Sequence, residues 1–209
     1  MEAARHGPRQ RRKEARPGEI LDAAFEEFAR RGYAATRLDD VAARAGITKG
    51  TIYVYFPSKE DLFVATFKEM VRPTMENIAA LTHAPQGTAM DILRAHFRFV
   101  YDHMVADRRG RELLRLLMAE AGRFPSLAER WHDEVIGPAV ERMRAVMRYG
   151  VARGEFRPGV EEAYPHLLFS PVMMASTWLS LFGEAHPLEL QGYYAAHLDM
   201  MRRALCIAA

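Results

Sequence analysis

Cysteine is nearly missing from this sequence, since Cys206 is the only one among 209 residues. A disulfide within the chain is therefore impossible, and a zinc site built on cysteine ligands is not expected. Such a chain suits a reducing compartment, so we expect it in the cytoplasm. The N-terminus carries positive charge without an apolar segment after it, and no secretory signal is predicted.

Long apolar runs are missing too. The longest stretch, from Leu167 to Phe182, is interrupted by serine, threonine or proline at five positions. It is too short and too polar for a membrane span, and this pattern favours a buried core helix. We therefore expect no membrane partner.

The motifs that mark many enzymes are also missing. The sequence has no phosphate loop, no HExxH, no nucleophile elbow and no histidine pair at helical metal-ligand spacing. Glu161 and Glu162 are explained as charges at a helix start, where the helix dipole favours them. The sequence therefore predicts no catalytic residue, no metal and no cofactor.

Positive charge is concentrated at one end of a chain whose net charge is only +2. Between residues 5 and 16 the only acidic residue is Glu14. We expect residues 1–16 to form a flexible basic arm, which either lies along DNA phosphates or is a solvated tail. Its basic residues are Arg5, Arg9, Arg11, Arg12, Lys13 and Arg16.

Strand-type alternation is missing, whereas helical spacing recurs along the whole chain, so the predicted fold class is all-α. The first helix is predicted over Pro17–Arg31 with Gly32 as its stop. A second, short helix is predicted after Thr36, with Thr36 and Asp39 as a capping box and Gly46 as its left-handed stop.

A third short helix is predicted over Thr48–Phe56, and a long one from Ser58 to about Leu81. Ser58 and Asp61 form an N-cap signal for the long helix, which Pro73 is expected to disturb. Pro138 and Pro171 fall inside later predicted helices, so each is expected to kink or end one. The later predicted helices are Thr88–Ala106, Arg111–Ala121, Ser126–Arg153, Val160–Gly183 and Leu188–Cys206.

The second and third helices have the layout of a helix-turn-helix. Ile52 and Phe56 would hold the third helix on the core, leaving a hydrogen-bonding surface without acid on its other side. The N-terminus of that helix offers amides and a positive dipole end to a phosphate. The exposed residues suit base edges and phosphates of DNA, and they are Lys49, Gly50, Thr51, Tyr53 and Tyr55.

The run from Ile20 to Phe63 resembles the N-terminal DNA-binding region of TetR-family repressors. The residues that carry the resemblance are Phe28, Gly32-Tyr33, Thr36, Val41-Ala42, Ala45-Gly46, Lys49-Gly50, Tyr53, Tyr55-Phe56, Ser58-Lys59 and Leu62-Phe63. The remainder, from about Phe67, resembles the family only in helix count, length and general pattern.

The resemblance implies a three-helix DNA-binding head over residues 17–63 and a helical ligand-binding and dimerisation body over residues 64–209, about nine helices in all. It implies a homodimer on a near-palindromic operator. Thr36 and Arg37 would sit on a phosphate. In this family, histidine often stands at the position of Tyr55. Tyrosine keeps the hydrogen bond of that histidine but not its possible charge. By position, the other expected DNA contacts are Thr48, Lys49, Gly50, Thr51, Tyr53, Tyr55 and Lys59.

An apolar effector pocket is implied in the body, although plain core packing explains the same residues. His96, His103 and His132 could orient a ligand, or could be surface or structural histidines. The pocket residues would be Phe67, Met70, Phe97, Tyr101, Met104, Trp131, Met174 and Trp178.

The apolar faces of the last two helices predict a four-helix dimer interface. These faces consist of Leu168, Val172, Ala175, Leu179 and Phe182, then Tyr194, His197, Leu198, Met201 and Leu205. The predicted function is a homodimeric repressor released from its operator by a small apolar or amphipathic ligand. A dimeric regulator without ligand sensing, an activator and a helical enzyme remain alternatives.

Overall fold

The computed structural model describes residues 8–162 and 165–207, with side chains described from Arg16 onward. Within these residues the chain forms ten α-helices and one isolated antiparallel bridge, between Phe156 and Cys206. The all-α prediction is confirmed. The helices are α1 (Pro8–Ala35), α2 (Leu38–Arg44), α3 (Lys49–Tyr55), α4 (Lys59–His83), α5 (Ala89–Val100), α6 (Arg108–Ala121), α7 (Pro125–Trp131), α8 (Gly137–Ala152), α9 (His166–Phe182) and α10 (Leu190–Leu205).

Helix α1 begins earlier than predicted. The backbone is helical from Pro8, with Pro17 inside the helix, so part of the predicted flexible arm is helical. Residues 1–7 of that arm lie outside the described residues. The predicted stop at Gly32 is a break in helical geometry, with φ 77° and ψ 168°, a conformation that glycine adopts without strain.

The predicted capping box of α2 is wrong. Arg37 occupies the N-cap position without a side-chain cap, and Thr36 is only 2% exposed. The Thr36 hydroxyl donates instead to the carbonyls of Gly32 and Glu27, at 2.7 and 3.1 Å. The cap of α4 is confirmed, since the Ser58 hydroxyl accepts from the Asp61 amide at 3.0 Å.

Three predicted body helices differ in detail. The helix predicted over Ser126–Arg153 is α7, a π-helical turn (His132–Ile136) and α8, with Pro138 at the start of α8. The turn widens the hydrogen-bond spacing just before the proline, which has no N–H to donate. The helix predicted from Thr88 to Ala106 likewise ends in a π-helical turn, Tyr101–Val105. Helix α9 begins only at His166, after a 3₁₀ turn.

Neither Pro73 nor Pro171 ends its helix, because α4 and α9 continue through them. No helix of the described residues is long and apolar enough to cross a lipid bilayer.

The buried apolar residues form two clusters. The first, which we call the junction core, joins α1–α4 to α6 and α7 and includes Phe28, Phe63, Phe67, Leu113 and Leu127. The second, the body core, joins the C-terminal half of α4 to α5, α8, α9 and α10. The three-helix head therefore packs through α1 on a body helix, α6, and does not pack only on itself.

Candidate DNA-binding surface and effector region

A buried carboxylate fixes α2 against α1. Glu27 accepts hydrogen bonds from Arg44 at 2.7 Å and Arg30 at 2.6 Å, and Arg31 lies 3.3 Å away. Burial alone would raise the pKa of Glu27, but these hydrogen bonds outweigh burial and hold its pKa below the ordinary value. Sequence reasoning missed this residue, because nothing in the local pattern marks a glutamate on the inner face of α1.

The turn between α2 and α3 follows the predicted geometry. Gly46 has φ 64°, and the Ile47 amide donates to the Ala42 carbonyl at 3.0 Å, which closes the reversal. Thr48 caps α3 by accepting from the Thr51 amide at 3.3 Å. Ile52 and Phe56 are buried in the junction core, so α3 is held from one side only.

The opposite face of α3 is open. Tyr53 is 48% exposed, and Lys49 forms a surface ion pair with Asp39, with the ammonium 3.0 Å from the carboxylate. A pair this exposed contributes under about 1 kcal/mol, so a phosphate can replace the carboxylate at little cost. A Cβ added at Gly50 would have only the Thr48 hydroxyl within 4 Å, at 3.8 Å, so the fold does not itself require glycine there.

Three other side chains predicted to contact DNA from α3 and its N-cap already have contacts within the protein. The hydroxyls of Thr48 and Thr51 lie 3.0 Å apart, and Tyr55 is half-buried beside Phe56. Arg37 is exposed at the N-terminus of α2. Val54, which sequence reasoning passed over, is 77% exposed, and an apolar side chain there can contact a thymine methyl group.

Two residues that were predicted to contact DNA, Thr36 and Lys59, instead donate hydrogen bonds to backbone carbonyls. The buried Thr36 side chain points back to α1, as described above. The Lys59 ammonium donates to the carbonyls of Tyr33, Ala34 and Thr36 at 2.9, 3.2 and 3.1 Å, and lies 4.5 Å from the centre of the Tyr33 ring. Burial lowers the pKa of Lys59, while the charge of Glu120 opposes this shift. Lys59 thus binds carbonyls at the C-terminus of α1 and just after it.

A contact from α6 holds the same end of α1. A Glu120 carboxylate oxygen accepts from the Tyr33 amide at 3.0 Å and would lie 2.9 Å from a Cβ at Gly32. The other Glu120 carboxylate oxygen is buried without a hydrogen-bond partner. The break in α1 is therefore stabilised by Glu120, a residue of α6 that lies far from it in the sequence.

The predicted effector pocket is divided between two regions. Phe67 and Trp131 pack together in the junction core with ring centres 5.0 Å apart, and Met70 lies beside them. Phe97, Tyr101 and Met104 belong to the body core. Met174 is exposed on α9, and the Trp178 indole donates to the His186 carbonyl at 2.9 Å. The structure does not bring these eight residues into one group.

The body core contains a polar pair that sequence reasoning assigned to other roles. The Tyr101 hydroxyl lies 3.2 Å from Nδ1 of His197, and Nε2 of His197 is buried without a hydrogen-bond partner. Burial raises the pKa of Tyr101 and lowers the pKa of His197 to about 4. A polar group of this kind can orient a ligand among apolar side chains.

The three histidines considered as ligand-orienting groups lie apart. His96 is buried with Nδ1 3.3 Å from Asn77 Oδ1, and burial lowers its pKa to about 4. His103 is exposed and stacked on Phe99 with ring centres 3.9 Å apart, and His132 is exposed beside Asp133. Across the described ranges, no three histidine, cysteine, aspartate or glutamate side chains are grouped as metal ligands would be.

Most residues predicted for the dimer interface are instead buried within the chain. Leu179, Tyr194 and Leu198 are partly buried against the body core, and Phe182 is exposed. Helix α9 is apolar on more than one side, and helical periodicity alone does not tell which side packs inward. The residues buried in the chain's own core are Leu168, Val172, Ala175, His197, Met201 and Leu205.

An exposed apolar stripe runs along the other side of α9. Leu167, Met174 and Leu181 recur at seven-residue intervals and are 67%, 52% and 63% exposed. Side chains seven apart lie on one face of a helix, about two turns apart. Met173 and Phe182 of α9 and Met200 of α10 are further exposed apolar side chains on these two helices.

Comparison with known proteins finds two family models. Residues 20–66 match the model described as "Bacterial regulatory proteins, tetR family", and residues 84–181 match "Tetracyclin repressor-like, C-terminal domain". The first match contains α2, α3 and the exposed face described above. The second contains α5–α8 and nearly all of α9.

Curated relatives are also similar to this chain, and solved structures share its fold. The chain is 30% identical to the HTH-type transcriptional repressor SCO4008 of Streptomyces coelicolor over 163 residues, 78% of each chain. It is 27% identical to the fatty acid metabolism regulator protein of Bacillus subtilis over 156 residues, 71% of this chain and 76% of that one. Two further regulators align over only 49% of their own length. The structure of SmeT, repressor of a Stenotrophomonas maltophilia multidrug efflux pump, superposes with TM-score 0.73 at 24% identity, covering 92% of this chain and 91% of that one.

Proposed function

The chain belongs to the TetR family of bacterial transcriptional regulators, and from this premise we propose that it is a homodimeric repressor released from a near-palindromic operator by a small apolar or amphipathic effector. The family relationship makes it a DNA-binding regulator and not an enzyme. We assign DNA binding to residues 17–63 and effector binding and dimerisation to residues 64–209.

The open face of α3 is the observation that carries the DNA-binding proposal. Lys49 and Tyr53 project from a helix that is anchored only on its inner side, and the Cα of Gly50 has open space in front of it. This arrangement suits insertion into the major groove, with the α2 N-terminus and Arg37 at a phosphate. The proposed DNA contacts are Arg37, Thr48, Lys49, Gly50, Thr51, Tyr53 and Tyr55, with Val54 added, and with Thr36 and Lys59 supporting the head from within.

The exposed stripe of α9 supports the homodimer. Three large apolar side chains at seven-residue intervals suit a matching helix from a second copy, and a twofold axis would bring the same face of α9 from each copy together. Two heads related by that axis would meet successive turns of the major groove, which explains the expectation of a near-palindromic operator.

The effector proposal rests on the body core. Tyr101 and His197 supply polar groups within an apolar surrounding, and the π-helical turn that begins at Tyr101 is a type of irregularity often found at functional sites. Related structures have been solved with chemically different ligands: SmeT with triclosan and a Saccharomonospora viridis regulator with choline. These ligands do not identify the effector of this chain. The alternative proposals are a regulator that binds no effector and an activator.

The test is DNA binding over a salt series. Fluorescence anisotropy of the full chain with DNA from upstream of its own gene should show tight, sequence-selective binding. Lys49→Ala should lower the slope of log K against log salt by roughly one unit per head, because one phosphate contact is lost.

Lys68→Ala is the matched control for this measurement. Lys68 is also an exposed lysine in an ion pair, 2.9 Å from Glu134, but it lies on the fourth helix, away from α3. Its removal should leave the slope unchanged. Equal slopes for Lys49→Ala and the unchanged protein, or equal affinity for every DNA sequence, would reject the assignment of α3.

A further inference from the structure

A cavity lies where the head meets the body. It has a volume of about 290 Å³ and is bordered by α1, α4, the π-helical turn after α5, and α6. Its apolar wall includes Leu21, Phe25, Met70, Pro73 and Leu113. Of the eight residues predicted to line an effector pocket, only Met70 borders it, together with His103 from the histidines considered as ligand-orienting groups, so it is not the predicted pocket.

The rim of this cavity is acidic. Asp22, Glu69 and Asp107 border it, against one arginine, Arg109, and one histidine, His103. Hydrogen bonds from Arg72 hold the pKa of Glu69 below its ordinary value, and the nearby charge of Asp22 opposes that shift. Asp22 and Glu69 border the same cavity, and a cation between them would be attracted to both.

Arg109 already occupies the place that a cation would take. Its guanidinium lies 4.4 Å from the centre of the Phe25 ring and 2.8 Å from the Asp22 carboxylate. Both charged side chains of this pair are at least half exposed, so the ion pair is weak and can be replaced. The Phe25 ring is itself buried, and a cation over its face gains from the ring quadrupole.

We propose that this cavity binds a small organic cation with an apolar body, which displaces the guanidinium of Arg109 from Asp22 and Phe25. The ammonium group of the ligand takes the place of the guanidinium over the Phe25 ring, beside Asp22 and facing Glu69, and its apolar part rests against Met70 and Pro73. An anion is disfavoured by the three carboxylates, and a neutral molecule can gain at most a hydrogen bond from them, without the attraction between opposite charges.

Displacement of Arg109 also has a consequence for the head. Asp22 and Phe25 belong to α1, and Arg109 belongs to α6, so the ligand breaks a contact between head and body. We expect operator affinity to fall when the cavity is filled. This consequence rests on the proposed repressor function, whereas binding of the cation does not.

The experiment measures binding by calorimetry with the full chain and no DNA, using 2-phenylethylammonium and its uncharged analogue 2-phenylethanol. The cation should bind about tenfold more tightly than the alcohol. Asp22→Asn and Glu69→Gln should each weaken binding of the cation by about fivefold. Asp199→Asn is the matched control: Asp199 lies in ion pairs with Arg202 and Arg203 on α10, and its loss should change nothing.

Arg109→Ala tests whether the ligand cation and the Arg109 guanidinium compete for the same place. Removing the competing guanidinium should tighten cation binding several-fold, although the variant removes a side chain from the rim. Equal binding of amine and alcohol, or weaker binding of the cation to Arg109→Ala, would overturn the site. Thermal melting of each variant shows whether it is folded.

The same titration on operator-bound protein tests the consequence for the head. A cation that binds the cavity without lowering operator affinity overturns the coupling. A chain that binds no operator at all contradicts the repressor proposal, while the calorimetric result for the cavity stands by itself.

Discussion

Gly50 and Gly150 differ in what a side chain at each position would meet. At Gly50 the space is open, whereas a Cβ at Gly150 would lie 2.8 Å from the Ala89 Cβ and closer still to the Phe156 ring. Gly50→Ala should therefore keep or raise the melting temperature, because alanine favours the helix by up to about 1 kcal/mol. It should weaken operator binding by at least tenfold, because the added methyl separates the α3 backbone from the DNA.

Gly150→Ala is the contrasting variant. It should lose about 1–3 kcal/mol of stability, since α5 and α8 approach too closely for a methyl group. Chemical unfolding gives the stability of both variants, and anisotropy gives the DNA affinity of Gly50→Ala. If Gly50→Ala bound the operator as well as the unchanged protein does, the backbone of α3 would not approach DNA closely at Gly50.

At the scale of the element, α9 has two apolar sides with different partners. One side, with Leu168, Val172 and Ala175, packs in the body core, and the stripe of Leu167, Met174 and Leu181 faces outward. Leu181→Glu should shift the chain toward monomer, because a carboxylate facing its own copy across a twofold axis is both desolvated and repelled. Analytical ultracentrifugation measures the shift, which we expect to be at least tenfold in the dimer dissociation constant.

Met118→Glu is the control for the stripe. Met118 of α6 is 60% exposed, close to the exposure of Leu181, but it does not lie on α9. Its substitution should leave the dimer intact. Dissociation by Met118→Glu, or none by Leu181→Glu, would place the interface elsewhere.

At the scale of the whole molecule, head and body share contacts that join distant parts of the chain. Phe28, Phe63, Phe67 and Trp131 form a row of aromatic rings from α1 through α4 to α7, with neighbouring centres about 5 Å apart. Glu120 and Arg109, near the two ends of α6, both bind α1. A displacement of α6 or α4 would therefore act directly on α1 of the head, as the proposed release mechanism requires.

The stability of the whole molecule should fall as the pH is lowered from about 6.5 toward 4. Burial lowers the pKa of both His96 and His197 to about 4 in the folded chain. The unfolded chain takes up protons near its ordinary histidine pKa, about 6.5, while the folded chain does not. Each histidine then contributes at most about 1.4 kcal/mol per pH unit to the slope of the unfolding free energy against pH. This contribution to stability is fully present only above about pH 6.5.

Urea unfolding at a series of pH values measures this dependence. His96→Gln and His197→Gln should each reduce the slope between pH 6.5 and pH 5, and His132→Gln, at an exposed position, should not. The carboxylates Glu27 and Asp61, whose folded pKa values are lowered, add a slope of the same sign nearer pH 4. A flat profile between pH 6.5 and pH 5 would contradict the effect of burial.

The helix-turn-helix is the part of the fold that the sequence predicted best. Its signals are local: Gly46 permits the reversal, Thr48 caps α3, and Ile52 and Phe56 recur four residues apart on one face. Residues this close in sequence determine each other's backbone geometry, so spacing and residue type are enough. The same reasoning placed the cap of α4 at Ser58 and the break of α1 at Gly32.

Only the tertiary structure decided which partners are contacted by side chains that could act either inside the fold or at its surface. Thr36 and Lys59 carry the residue types of DNA contacts, yet both are bound to carbonyl groups of α1. The inward side of α9 depends on contacts with the Tyr101–Val105 turn and α10, and the cavity beside Arg109 exists only where α1 meets α6. The physical reason is that a periodic apolar pattern specifies a helix and its faces, whereas the partner of each face is set by residues far away in the chain, as Glu120 is for Tyr33.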